Sequence, residues 1–336
     1  MDVSIIICTY NGADKIIKTI QSIVSQVATC TRELIVVDNA STDGVGELVE
    51  KYLTNNQIDN FNWKLIHEPT PGLIHARLAG MKAAASDIML FCDDDNTLCD
   101  TYIQTGFEIM QANPKIGVLG GLGIPEFESE KPDWFDTYYH SYAVGAQAEK
   151  DGKIDKYPAE VYGAGSFFRK APLQRFYDLG FKSIFKGRTG KVLSAGDDVE
   201  WCYLLQLVGY EIWYNSSLTF LHFMPTNRLQ WKYYIKMKSG IASGAAGFFV
   251  YNNLFHKSRE NIRIHFTISY VKNLLFYYIL FVKQKLFIPF FSKNDAAQEL
   301  GVEVLASKYK SFFISYFRCY KHYNMNKILI NKYFSK

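Results

Sequence analysis

The sequence predicts an α/β fold: a mostly parallel, Rossmann-like sheet with flanking helices, followed by a basic, aromatic-rich helical C-terminal region. Three observations predict it. Short, continuously apolar runs alternate with stretches of helical period over the first 125 residues. Three of those runs end in polar or acidic tips. From Leu229 onward, helical stretches rich in Lys, Phe and Tyr take over. A strand buried on both faces must be apolar along its whole length, and alternation of such strands with helices is the pattern of a parallel sheet covered on both sides.

Taken in order, Val3–Cys8 is the first buried strand, and Asn11-Gly12 breaks it. Ile16, Ile17, Ile20, Ile23 and Val24 then recur at helical spacing. Glu33–Val37 is a second buried strand that ends at Asp38, and Ser41-Thr42-Asp43-Gly44 is a turn with helix-capping chemistry leading into a helix over Gly46–Leu53. Trp63–His67 reads as a shorter strand closed by Pro69 and Pro71, and Leu73–Ala85 as a helix. Ile88–Cys92 and Gly117–Leu122 are further strands. Glu126–Pro158 reads as an irregular excursion, Val161–Lys170 as a Gly-rich strand with a tight turn, and Gly180–Gly196 as a loop carrying Lys182, Lys186, Arg188 and Lys191. A helix over Asp197–Gly209 and a short strand within Ile212–His222 follow. The expected division is a domain over 1–228, with a ligand-binding half at 1–125 and a second half at 126–228, then a helical region over 229–336.

Charge is distributed unevenly. The chain carries a net +4, yet Thr226–Lys336 holds 18 Lys and Arg against 4 Asp and Glu, together with 25 of the 53 aromatic residues. An acidic front and a basic, aromatic back suit different tasks: metal and polar-ligand chemistry in the first, an anionic surface in the second. None of the six cysteines forms a C-x-x-C pair, which argues against zinc ribbons and thioredoxin chemistry and for a reducing compartment. Asp2 and the brevity of the apolar run Val3–Cys8 predict no secretory signal.

Ligands of doubly wound sheets bind beyond the carboxyl ends of the strands. Here those ends carry Thr9-Tyr10-Asn11, Asp38 and Asp93-Asp94-Asp95. Two carboxylates at i and i+2 beyond a strand can share a divalent ion that also binds a diphosphate, and oxygen ligands suit Mg²⁺ or Mn²⁺. The alternative is a solvated acidic turn, although three adjacent acids repel one another without a cation. Gly196-Asp197-Asp198 opens a helix, where a carboxylate is either a cap or a general base. His222 is either structural or a ligand, Arg77 either a surface helix cation or a ligand contact, and Tyr10 either a core aromatic or part of the site. For Trp134 and Trp201 the core is the default over sugar stacking.

Together these residues resemble the inverting glycosyltransferase family 2, whose fold is of GT-A type, over about residues 1–235. Thr9-Tyr10-Asn11 is similar to that family's nucleotide-binding opening. Val37–Gly44 resembles its second motif, in which the first Asp, here Asp38, contacts base and ribose. Pro71–Arg77 resembles the stretch whose Arg lies near the nucleotide, and Asp93-x-Asp95 the D-x-D motif whose last Asp binds the metal. Gly196-Asp197-Asp198 resembles the motif whose second acid is the catalytic base, with Asp197 standing where Glu is commoner. The resemblance adds His222 to the metal shell, Arg228 to the diphosphate, and Val161–Arg169 to the acceptor side.

The resemblance therefore implies a nucleotide-sugar co-substrate held by Thr9, Tyr10, Asn11, Asp38, Arg77, Asp93, Asp94 and Arg228, a divalent Mn²⁺ or Mg²⁺ held by Asp95, His222 and Asp93, and Asp198 as the base. It implies one direct displacement with inversion, a uracil-containing donor, and an acceptor hydroxyl on a lipid-linked or surface-polysaccharide glycan. The Gln-x-x-Arg-Trp signature of processive synthases is absent, since Asn227–Trp231 reads NRLQW. The tail is expected to lie on the cytoplasmic face of an anionic membrane or to pair with a second copy of the chain; nucleic acid is not an expected partner. Two rivals are a nucleotidyltransferase and a non-catalytic carbohydrate- or membrane-binding module. The first fits poorly because Cys8–Lys15 has one Gly and one Lys where a triphosphate needs a Gly-rich basic loop. Intact Asp95, Asp198 and His222 argue against the second.

Overall fold

The computed structural model describes residues 1–56, 61–185, 187–188, 193–256, 262–286 and 295–335. Lys186 and Lys191 lie outside the described residues. The chain divides into two units, Met1–Tyr177 with Asp198–Leu229, and Asp178–Asp197 with Gln230–Lys336.

The first unit is built on a mixed, mostly parallel nine-stranded sheet in the order β3-β2-β1-β4-β8-β6-β9-β5, with β7 also on β9. At its centre lies β1 (Val3–Thr9), between β2 (Arg32–Asp38) and β4 (Ile88–Asp93), both parallel to it; β3 (Asn62–His67) extends the parallel edge. Central strands have neighbours on both sides and helices on both faces, so Ile5, Ile6, Ile7, Val36, Val37, Met89 and Leu90 are all fully buried. The crossovers are α1 (Ile16–Val24), α2 (Val45–Asn55) and α3 (Leu73–Ala83). On α1, Ile16, Ile20 and Ile23 are fully buried at helical spacing; such burial contributes roughly 1.5–3 kcal/mol per side chain.

Beyond β4 the sheet turns mixed. β5 (Asn96–Leu98) and β7 (Gly152–Lys153) are antiparallel to β9 (Glu211–Met224), β8 (Ser166–Arg169) is antiparallel to β4 and β6, and β6 (Ile116–Phe127) is parallel to β9. Several elements here differ from expectation. β9 is a 14-residue strand rather than a short one. β8 begins only at Ser166, because the glycines ahead of it form a turn. The helix α4 (Tyr102–Ala112) had no counterpart in the sequence reading; it buries Tyr102, Ile103, Gly106 and Met110. The excursion after β6 contains the short α5 (Phe135–Tyr138) and a 3₁₀ turn at Tyr139–Tyr142, and α6 (Lys170–Asp178) follows β8. The next helix, α7 (Asp197–Leu207), presents Trp201 to the core: its ring meets Phe91 and Phe168 at 5.5 and 5.6 Å, and its Nε1 donates to Tyr177 Oη at 2.9 Å.

The second unit contains α8 (Trp231–Ala242), α9 (Ala245–Phe255), α10 (Ile262–Leu286) and α11 (Asp295–Phe334). Aromatic packing holds it: Phe249 meets Phe266, Tyr270 and Phe312 at centroid distances of 5.2, 5.4 and 5.6 Å, in edge-on geometry. Ser311, Ser315 and Cys319 form a buried line of small residues on α11, and Cys319 Sγ contacts the Ala246 carbonyl of α9 at 3.3 Å. Among the described residues, no helix is long and apolar enough to cross a membrane.

Candidate active site

Strand register assembles the site. Thr9 lies opposite Asp38 and Cys8 opposite Asp93, so the tips of β2, β1 and β4 form one row at the carboxyl edge of the parallel strands. The chain then turns at Asp94 and Asp95 into β5, which pairs with β9 so that Asn96 faces His222. Asn96 Oδ1 accepts from the Asp93 N–H at 3.1 Å, and the Phe223 N–H donates to the Asp95 carbonyl at 2.9 Å. This fixes two residues 127 positions apart side by side: His222 Nε2 lies 3.4 Å from Asp95 Oδ1.

Cations from opposite ends of the unit converge on the same carboxylates. Arg228, in a 3₁₀ turn at Thr226–Leu229, places Nη1 2.9 Å from Asp95 Oδ2. Lys15, just ahead of α1, places Nζ 2.9 Å from Asp94 Oδ1 and 3.4 Å from Asp95 Oδ2. Thr9 Oγ1 donates to Asp94 Oδ2 at 2.7 Å, and a Cβ on Gly12 would strike both of these oxygens. Burial disfavours the Asp95 charge, but His222, Arg228 and Lys15 outweigh it and hold this carboxyl well below the usual range. Burial raises Asp94, helped by the adjacent Asp95 charge and opposed by Lys15. Burial of Lys15 favours the neutral amine, yet Asp94 and Asp95 prevail and lift its pKa above the ordinary lysine value.

The neighbouring loops are clamped to each other. Asn11, at φ +52°, accepts from the Thr42 N–H at 2.8 Å through its side-chain oxygen, and its own N–H donates to Ser41 Oγ at 3.0 Å. Asp38 accepts from the Ser41 N–H at 3.0 Å and meets His67 Nδ1 at 3.2 Å. Asn39 accepts from the Gly72 N–H at 2.8 Å, which ties β2 to the start of α3. Tyr10 is 48% exposed and so is not a core aromatic.

Arg77 is not a surface cation either. It is only 6% exposed, and its guanidinium sits 5.9 Å from the Phe91 ring centroid. Ser166 pairs with Phe91, so the residues before Ser166, Gly163 among them, lie beyond the carboxyl end of β4, on the side of the acidic turn. There the Gly163 N–H donates to Asp198 Oδ2 at 2.8 Å. A Cβ on Gly163 would come within 2.5 Å of Arg77 Nη2 and 2.9 Å of Asp198 Cβ, so Arg77 and Asp198 flank this glycine. Asp198 is half-buried at the start of α7, whereas Asp197 and Glu200 are buried.

The donor set of Asp95 and His222 fits a divalent ion. A carboxylate oxygen and an imidazole nitrogen 3.4 Å apart are close to the roughly 3 Å between adjacent ligands of an octahedral ion. Asp93 does not complete a three-residue set with them: it is the last residue of β4, ahead of the turn that carries Asp95 toward His222. Among the described residues, no group of three His, Cys, Asp or Glu side chains is placed to hold a metal. The sequence reading missed Lys15, Asn96, Asn39 and Gly163 as organisers of the site; for Lys15 the available signal was a lone cation between the first strand and the first helix, at the edge that also carries the acids.

Comparison with known proteins bears on the family and the fold. The family model described as Glycosyl transferase family 2 matches residues 4–176, and the chain belongs to that family. It is a glycosyltransferase acting on nucleotide sugars, on a GT-A-type fold. A similar curated protein is the glucosyl-dolichyl phosphate glucuronosyltransferase of Haloferax volcanii, 22% identical over 227 residues, which are 66% of this chain and 69% of that protein. Glycosyltransferase AglE of the same organism is 30% identical over 120 residues, 35% of this chain and 38% of the relative. Among solved structures, S. aureus TarS 1–349 in complex with UDP-GlcNAc matches with a TM-score of 0.55 at 15% identity, covering 99% of this chain and 89% of that one. Mannosyltransferase PcManGT from Pyrobaculum calidifontis, in complex with GDP-Man and Mn²⁺, matches with a TM-score of 0.53 at 16% identity, covering 98% and 86%.

Proposed function

We propose that the protein transfers one sugar from a UDP-sugar to a hydroxyl of a lipid-linked or growing surface-polysaccharide glycan, with inversion at the anomeric carbon. The observation that carries this reading is the Asp198 carboxylate, held by the Gly163 N–H at 2.8 Å beside Arg77, at the sheet edge that also bears the acidic turn. Asp198 takes the proton of the acceptor hydroxyl as its oxygen attacks the anomeric carbon and the bond to the diphosphate breaks. One base and no enzyme nucleophile make a single displacement, hence inversion. Thr9, Tyr10, Asn11, Asp38 and Arg77 bind the nucleotide, with the acidic turn at Asp93 and Asp94 beneath its phosphates, and Arg228 meets the departing charge. Asp95 and His222 would hold Mn²⁺ or Mg²⁺, which would supply Lewis-acid stabilisation of the leaving diphosphate. The UDP-GlcNAc and the GDP-Man with Mn²⁺ in the two solved neighbours support a nucleotide-sugar donor and a metal. The dolichyl phosphate in the name of the archaeal relative supports a lipid-linked acceptor.

Residues 1–228 would be the catalytic domain, donor side first, and the 229–336 region would hold the enzyme on the inner face of the plasma membrane. Ile264, Ile268, Val271, Leu275 and Ile279 are exposed on α10 at three- and four-residue spacing, one stripe of a helix that has Lys272, Lys283 and Lys285 and no Asp or Glu. Apolar stripes beside lysines suit a headgroup layer. The deciding experiment is release of UDP or GDP from a donor panel with Mn²⁺ and a lipid-linked acceptor. Turnover dependent on a UDP-sugar and acceptor supports the reading. Pyrophosphate release from a nucleoside triphosphate and a sugar phosphate would overturn it.

A further inference from the structure

The family motifs assign nothing to Lys15, yet it makes the most central ion pairs of the acidic turn. Its Nζ takes one oxygen from each of two successive carboxylates, Asp94 Oδ1 at 2.9 Å and Asp95 Oδ2 at 3.4 Å. Thr9 holds the other Asp94 oxygen, and Arg228 shares Asp95 Oδ2 with Lys15. The Lys15 side chain is 19% exposed and those of Asp94 and Asp95 are 11% and 4% exposed, so little water screens the cluster. Among the groups joined through Lys15 and Arg228 the formal charges cancel: the Asp94 and Asp95 carboxylates face one ammonium and one guanidinium.

We propose that Lys15 is an internal counter-cation, anchored on Asp94, that competes with the divalent ion for Asp95, and that it passes its ammonium to the donor diphosphate when ion and nucleotide arrive together. The argument is one of charge balance. A divalent ion added alone brings +2 to a cluster that is already neutral, so Lys15 must withdraw and the ion binds weakly. A diphosphate arriving with the ion restores the balance and offers the Lys15 ammonium new anionic oxygen partners. Metal and nucleotide affinity are thereby linked through this one side chain, each raising the other by the same factor. Lys15 thus acts as a positioning residue whose effect runs through the metal site. The inference rests on the reading that Asp95 and His222 hold a divalent ion.

The test is Mn²⁺ binding, read by electron paramagnetic resonance as the loss of free-ion signal, for wild type, Lys15→Gln and Lys15→Arg, each with and without UDP, with thermal melts to confirm folding. Wild type should bind Mn²⁺ at least tenfold more tightly with UDP than without. Lys15→Gln should bind Mn²⁺ alone more tightly than wild type, by about fivefold or more, and lose most of the UDP enhancement; Lys15→Arg should resemble wild type. A variant-free measurement runs beside it: acetylation of Lys15 by acetic anhydride, mapped by mass spectrometry, should rise on adding Mn²⁺ alone and fall when UDP follows. A folded Lys15→Gln with unchanged or weaker Mn²⁺ binding, or a Lys15 labelling rate indifferent to Mn²⁺, would overturn the proposal while leaving the metal reading intact. Absence of Mn²⁺ binding in every protein, with and without UDP, would overturn both.

Discussion

Gly163→Ala separates catalysis from folding better than removal of any charged group. Gly163 is not among the positive-φ glycines, so alanine meets no backbone strain there. The added Cβ would lie 2.5 Å from Arg77 Nη2, 2.9 Å from Asp198 Cβ and 3.0 Å from Asp198 Oδ2. Comfortable contacts begin at about 3.5 Å, so the Arg77 end must give way by about an ångström and Asp198 by about half an ångström. Overpacking of this kind costs about 1–3 kcal/mol, and the Arg77 end is flexible, so the lower part of that range applies to stability. Catalysis has no such slack. A full ångström of misplacement costs on the order of 100-fold in rate, so a base displaced by about half an ångström loses on the order of 10-fold, which corresponds to about 1.4 kcal/mol of barrier. The expected outcome is a folded protein with a slightly lower Tm, UDP binding weakened only modestly in calorimetry through the displaced Arg77 end, and kcat reduced about 10-fold. A folded Gly163→Ala with wild-type kcat would refute the assignment of Asp198, because the added methyl presses directly on that side chain.

Three further outcomes follow from the same geometry. Asp198→Asn should retain donor binding in calorimetry but lose transfer by on the order of 100-fold or more, since the amide accepts no proton; near-wild-type turnover would shift the role to Glu200 or Asp197. His222→Ala should move the Mn²⁺ titration of activity to higher concentration, while an unmoved curve would make the 3.4 Å contact with Asp95 purely structural. Full-length protein should float with anionic liposomes and less with neutral ones, and a chain ending near residue 261 should not float at all. Equal flotation of the two proteins would reject the tail as the anchor, and a concentration-dependent dimer without flotation would assign its exposed apolar stripe to a second copy of the chain.

The parallel half of the sheet was legible because its cause is local. β1, β2 and β4 are each buried on both faces, so each reads as an unbroken apolar run, and the residues at their ends follow directly. The mixed half was less legible because its elements depend on partners remote in sequence. α4 buries Gly106 and Tyr102 as readily as Ile103 and Met110, so an apolar count undervalues it: Gly106 lies flat against the Phe167 ring, and Tyr102 satisfies its hydroxyl on the Gly165 carbonyl. β9 contains Asn215, Ser216 and Ser217 midway, polar residues that interrupt its apolar pattern, yet its two halves alternate buried and half-buried residues on either side of a register shift against β6.

The site divides along the same line. Asp38, Asp93 and Thr9 could be read from their positions at strand ends, but what the acidic turn can do depends on the charges that reach it. An isolated Asp94-Asp95 pair would be a repulsive turn; a cation supplied from before α1, another from after β9 and an imidazole set in place by the pairing of β5 with β9 turn it into a buried, balanced cluster. Each of those partners sits on a different element, at separations of 79 to 133 residues, so no motif contains them. The same holds at the proposed base: Asp198 opens α7, but the N–H that donates to it and the guanidinium beside it come from the turn before β8 and from α3. Sequence position named the acids, and the fold assigned their chemistry by choosing their neighbours.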